Sequence, residues 1–214
     1  MRSRARGVAL LALLALAGAG AATAEAESRS PAPGALAATR PLLLRLRAAG
    51  RAEAAVRLTR TDPLSGRTQV VRGRLALELP GLARLDLADG QRLTLREDGG
   101  DLLQPAARQL VRAGARSAAG VLAWWAALLD PEGGGFRERK RGAREFVLLR
   151  EGAAEDEAQR LVQGADGLPE RIVVALGAGE QVEYRLSRWR FLRARGRKDF
   201  VLEAPAGFEV VEMP

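Results

Sequence analysis

The sequence predicts a mainly β fold of the α+β class: a meander of about eleven strands that curls into a barrel or packed sheet. Three observations lead there. Apolar or small residues recur at every second position over short stretches, most clearly at Val71, Gly73, Leu75, Leu77 and Leu79, with Arg72, Arg74, Ala76 and Glu78 between them. That period belongs to a strand with one buried face. Turn dipeptides such as Pro80-Gly81, Asp89-Gly90 and Asp98-Gly99 separate these stretches at roughly ten-residue intervals. Only two segments carry a helical period instead.

The chain opens with an export signal. Arg2, Arg4 and Arg6 precede an apolar run from Val8 to Ala17, and small residues lead to Ala22-Thr23-Ala24. This is the three-part pattern of a secretory signal peptide over residues 1–24, cut after Ala24, and its apolar run is too short to span a bilayer. Residues 25–34 read as a Ser/Pro/Ala linker, and residues 35–214 as one domain. A helix is expected over Ala37 to Ala49, with Pro41 in its first turn, Gly50 as its stop and Leu42, Leu43 and Leu46 on one face. Strands follow around Val56 and Leu58, from Val71 to Leu79, at Leu85 and Leu87, and at Leu93 and Leu95.

The second helical segment runs from Ser117, a good N-cap, to Leu129, and Asp130-Pro131 stops it. Val121, Trp124, Trp125, Leu128 and Leu129 fall at i, i+3, i+4, i+7 and i+8, one face of a helix. No charged residue interrupts the segment, so it must be covered on more than one side: it is either plain core or the lining of an apolar ligand cavity. Neighbouring positions on a helix lie about 100° apart, which places Trp125 in the core and Trp124 at the cavity mouth. Strands resume at Phe136, Phe146 to Leu149, Leu161-Val162, Ile172 to Leu176 and Val182 to Leu186. The apolar phase then slips to Trp189 and Phe191, which marks a β-bulge near Ser187-Arg188. Phe200 to Leu202 and Phe208 to Val211 are read as the closing strands.

Composition excludes much of catalysis. The chain has no cysteine and no histidine, hence no disulfide, no thiolate nucleophile, no Ser-His-Asp or Cys-His arrangement and no imidazole or thiolate metal site. Glu151, Glu155, Asp156 and Glu157 lack the ordered loop pattern of a Ca²⁺ site and read as a solvated turn. Gly133 to Gly135 lacks the Lys-Ser/Thr of a phosphate loop. The expectation is a binding protein, with no catalytic residue, no metal and no cofactor. The formal charge is +8, and loss of Arg2, Arg4 and Arg6 with the signal peptide lowers it to +5. Basic clusters stand at Arg137 to Arg144, including Arg139, Lys140 and Arg141, and between Arg185 and Lys198, including Arg195 and Arg197. They read either as solvated hairpins or as docking points for a membrane component or acidic partner. Arg185 and Arg188 read as a basic edge that guards an open strand. Nucleic acid is not expected as a partner: aromatics are scarce, no nucleic-acid motif is present and the export signal removes the chain from it.

Taken in order, the motifs resemble the LolA family of periplasmic lipoprotein carriers. The segment LPGLAR (Leu79 to Arg84) is similar to that family's strand corner, and DGGDLLQPAARQ (Asp98 to Gln109) to its D-G-x-x-L…P-x-x-x-Q segment. GLPERIVVAL (Gly167 to Leu176) is similar to its P-x-x-I strand, and FVLEAPAGFEVV (Phe200 to Val211) to its F-x-F-x-x-P-x-G-x-x-V ending. The resemblance implies an incomplete antiparallel β-barrel of about eleven strands with helices lidding a hydrophobic cavity. It implies a monomeric periplasmic carrier that shields lipoprotein acyl chains, or a related lipid, between an inner-membrane transporter and an outer-membrane receptor. The expected cavity and lid residues are Leu75, Leu77, Leu85, Val121, Trp124, Trp125 and Leu128. Two departures stand out: Leu79 occupies the place of the family's latch Arg, with Arg84 at a looser basic position, and Leu103 and Gln104 replace its aromatics. The alternative is a periplasmic sensor or interaction domain that binds lipoproteins or a regulator without transporting them. An apolar pocket of several hundred Å³ beneath the second helix would favour the carrier, and a filled barrel the alternative.

Overall fold

The computed structural model describes residues 36–62, 65–115, 125, 128–129, 135–155, 158–177 and 180–213, all within one compact unit. The signal peptide, the linker, Val121, Trp124, Gly133, Gly134, Asp156 and Glu157 lie outside the described residues, as does the second helical segment apart from Trp125, Leu128 and Leu129. No helix among the described residues is long and apolar enough to cross a membrane.

Helix α1 spans Arg40–Ala49. Pro41 suits its first turn because the missing N–H is not needed there. Gly50, at φ 98°, ends it and donates its N–H to the Leu46 carbonyl at 2.7 Å. Leu42, Leu43 and Leu46 are its buried residues, the face expected from their spacing.

Twelve strands make one sheet. They are β1 (Arg51–Thr61), β2 (Thr68–Glu78), β3 (Leu82–Leu87), β4 (Arg92–Arg96), β5 (Gly99–Gln104) and β6 (Gln109–Gly114), then β7 (Phe136–Lys140), β8 (Glu145–Arg150), β9 (Gln159–Gln163), β10 (Pro169–Gly177), β11 (Glu180–Leu192) and β12 (Glu209–Met213). Their order is β12-β6-β5-β4-β3-β2-β1-β11-β10-β9-β8-β7, with β7 and β12 as the two edges, so the sheet is open, an incomplete barrel. Hairpins join nearly all neighbours, which keeps the pairings antiparallel; β12 alone runs parallel to its partner β6. Gly99 shows why a glycine opens β5: at φ 145° a Cβ there would stand 2.1 Å from the Ala113 carbonyl oxygen of β6.

The sheet curls. Leu75 of β2 and Leu85 of β3 share one core cluster with Phe146 and Leu148 of β8, although a flat sheet would hold β3 and β8 about 29 Å apart. The bulge anticipated from the phase slip is present. Pairing of β1 with β11 shifts between Glu53 and Ala55, Arg188 adopts φ 56°, and Trp189 and Phe191 then pack on the inner face.

Two expectations fail. Phe200 to Leu202 is not a strand: Arg197–Phe200 forms a 3₁₀ turn and the chain beyond it is extended without a ladder partner. Arg185 and Arg188 do not guard an edge, because β11 lies between β1 and β10. Of the two edges, β7 carries solvent-facing Arg137, Arg139 and Lys140, a composition that discourages edge-to-edge pairing.

Candidate functional site

The inner face brings together the residues expected to line a cavity. Leu75, Leu77 and Leu85 project from β2 and β3 because odd positions of these strands share one side, and all three are buried. Trp125, Leu128 and Leu129 have helical backbone, are buried, and belong to the same cluster. Trp125 meets Tyr184 of β11 edge to face, with ring centroids 6.2 Å apart. Burial of that phenol pushes its pKa up to about 12, with the Arg60 charge opposing. α1 covers the same cluster through Leu42 and Leu46.

The gap between Trp125 and the β3–β4 pair, bounded by Ala83, Arg84, Leu85, Leu93 and Leu95, has no room for a water molecule. The pocket of several hundred Å³ expected beneath the helix falls largely on residues outside those described. Leu75, Leu77, Leu85, Trp125 and Leu128 are in contact with apolar neighbours rather than facing empty space.

The opposite face is clamped by the chain around the 3₁₀ turn. Arg51, 5% exposed, donates to Glu53 Oε1 at 3.0 Å and to Glu78 Oε1 at 2.7 Å, and its guanidinium stands 5.7 Å over the Phe200 ring. Glu78, 1% exposed, also accepts the backbone N–H groups of Arg195 at 2.9 Å and Gly196 at 3.0 Å. Burial alone would raise the Glu78 carboxyl, but these donors and the Arg51 charge outweigh it and hold the pKa below the usual carboxylate range. A second anchor lies on β4 and β5. Arg96 grips Asp101 in a fork, at 2.8 and 3.2 Å, and donates to the Phe200 carbonyl at 2.7 Å, while Leu202 donates its N–H to Asp101 at 3.0 Å. None of Arg51, Glu78, Arg96 or Asp101 stood out from the sequence; the available signal was charge at strand positions whose outer neighbours are otherwise exposed.

The two basic clusters are not brought together. Arg137, Arg139, Lys140 and Arg141 sit exposed on the β7 edge and its hairpin. Arg195 and Arg197 belong to the clamp, where Arg195 approaches Asp199 at 3.8 Å and Arg197 pairs with Asp98. Arg84 is engaged as well, by Asp86 at 2.9 Å and the Asp199 carbonyl at 2.7 Å, and Leu79, in place of the family's latch Arg, packs on the core cluster. No group of metal-ligating side chains is assembled among the described residues.

No protein-family model and no curated protein matches this sequence. Solved structures do resemble it. A conserved protein of Thermus thermophilus shares 15% identity over 81% of this chain and 98% of its own, with a TM-score of 0.48. A domain of Vibrio parahaemolyticus described as a putative outer membrane lipoprotein-sorting protein shares 15% over 78% and 95%, also at 0.48. The LolA superfamily protein NE2245 of Nitrosomonas europaea shares 12% over 77% and 97%, at 0.42.

Proposed function

We propose that this protein is a periplasmic carrier that binds the acyl chains of lipoproteins, or a related lipid, between the inner face of its open sheet and the helical segment containing Trp125. The observation that carries this reading is the chemistry of the contact: Leu75, Leu77 and Leu85 of the sheet share one buried apolar cluster with Trp125 and Leu128. An acyl chain replaces such contacts like for like, each buried methylene contributing about 0.8 kcal/mol. The gap against Trp125 is closed, so cargo enters by displacing the segment. A carrier makes no bond, in keeping with a chain that has neither His nor Cys. The signal-peptide pattern supplies the export, and residues 35–214 supply the single binding domain.

The closed gap against Trp125 favours a second reading, a periplasmic sensor or interaction domain that works through its surface. One experiment separates the two. Protein purified from its native periplasm under mild conditions, analysed by native mass spectrometry, carries a co-purifying lipid or acylated protein if the carrier reading holds. A clean mass of the bare chain, together with no uptake of a fluorescent fatty-acid analogue, overturns it.

A further inference from the structure

We propose that the outer face of the sheet, centred on a cross-strand row of four arginines, docks the protein onto the anionic phospholipid headgroups of a membrane surface. The row exists only in the folded sheet. Arg72, Arg57, Arg185 and Arg171 are successive register partners across β2, β1, β11 and β10, and all four are exposed. At the usual strand spacing the row spans about 14 Å. It lines a groove of about 810 Å³ whose floor includes Ala55 and Val162, and Arg188, turned outward by the bulge, lines it too.

Like charges directly opposite each other on neighbouring strands destabilise a sheet, and the acids beside the row, Glu183 and Glu170, act on Arg185. Arg185 donates to Glu183 at 2.6 Å. Among the described residues the side chains of Arg57, Arg72, Arg171 and Arg188 make no hydrogen bond or ion pair. The same face extends the charge beyond the row, through exposed Arg74 opposite Ala55, Arg160 opposite Val173 and Arg190 opposite Glu53. An external anion would relieve the repulsion that the fold alone leaves in place.

The extent of the charge favours a bilayer over an acidic peptide. The arginines form a two-dimensional array on five adjacent strands, matching a planar array of phosphates rather than a single extended chain. These strands are interior to the sheet, so their backbone groups are already paired and a peptide has no edge to add to. The guanidinium group also suits phosphate oxygens through its planar fork. Docking in this way is independent of whether the interior holds an acyl chain.

The test is co-sedimentation with vesicles of pure phosphatidylcholine and of equimolar phosphatidylcholine and phosphatidylglycerol. Binding to the anionic vesicles alone is expected, and its loss in 1 M salt, where the Debye length falls to about 3 Å. R57Q/R185Q should weaken partition about 25-fold, or about fivefold for each arginine removed, and R57K/R185K should retain binding. No binding to anionic vesicles overturns the proposal, as does undiminished binding by R57Q/R185Q. An equal loss in R137Q/R139Q overturns it by assigning docking to the edge hairpin. Tight binding to polyglutamate without binding to the anionic vesicles overturns it in favour of an acidic protein partner.

Discussion

Replacing Trp125 by Ala separates a lid from plain core. Trp125 is 2% exposed, lies edge to face with Tyr184 at 6.2 Å, and leaves no space for water against β3 and β4. Truncating a buried Trp to Ala costs about 3–5 kcal/mol, because transfer energy is lost and a cavity remains. In a domain of this size that lowers Tm by about 10 °C. The same energy equals the burial of about four to six methylenes, so an acyl chain of ordinary length exceeds what Trp125 contributes to closure. If closure competes with cargo, Trp125→Ala raises the fraction of molecules ready to bind and tightens apparent affinity. The expected pair of results is a large fall in Tm and at least about tenfold tighter binding of a fluorescent fatty-acid analogue, the equivalent of about 1.4 kcal/mol. Thermal melts and fluorescence titration on one preparation read both. A fall in Tm with no change in analogue binding refutes the lid reasoning and leaves Trp125 as core. A loss of stability below about 1 kcal/mol refutes the packing argument itself.

Two further outcomes follow from the outer face. Glu78→Gln breaks a buried ion pair and should cost about 3–5 kcal/mol at neutral pH. Because the folded pKa of Glu78 lies below the unfolded value of 4.5, its contribution is fully present above that value and is lost as pH falls through the folded pKa; denaturant titrations across acid pH should therefore show a shallower acid limb in the variant. R57Q/R185Q removes all three opposed arginine contacts of the row and should raise Tm, most at low ionic strength, as measured by thermal melts in a salt series; an unchanged or lower Tm at low salt would mean that the row carries no repulsion.

Much of the fold was legible because each feature has a local cause. Pro41 and Gly50 bound α1, and the strict alternation of β2 put Leu75 and Leu77 inside. The bulge showed as a slip from Leu186 to Trp189 and Phe191. Other features have no local cause. Alternation in Phe200, Val201 and Leu202 is real, since Phe200 and Leu202 are buried and Val201 is 44% exposed. Yet alternation reports only which side is covered, not whether a ladder exists, and here Asp101 and Arg96 hold that segment in a neighbour's place. Period two is likewise blind to strand direction, so the parallel β12–β6 pair could not be read. The arginine row depends on register between strands far apart in sequence, which no single stretch encodes. Of the candidate site, the burial of Leu75, Leu77, Leu85, Trp125 and Leu128 was legible from period, whereas the closed gap above β3 and β4 depends on how Trp125 packs there.

The two faces of the sheet differ in what it takes to disturb them, and that difference says where movement belongs. On the outer side the segment from Arg195 to Leu202 is tied to Glu78 and Asp101 by hydrogen bonds to buried carboxylates. Such bonds are strong, and a carboxylate stripped of its donors in a buried site is costly. No lipid tail offers a donor in exchange, so the proposed cargo would leave this side fixed. On the inner side Trp125 and Leu128 hold the sheet by apolar contact, and hydrocarbon supplies the same interaction. On the carrier reading proposed above, opening falls to the inner side and the clamp to the fixed one. The arginine row lies on that fixed side of the sheet, on β2, β1, β11 and β10, whose inner faces meet the lid. A protein docked through it would rest on its immobile face and leave the moving one free.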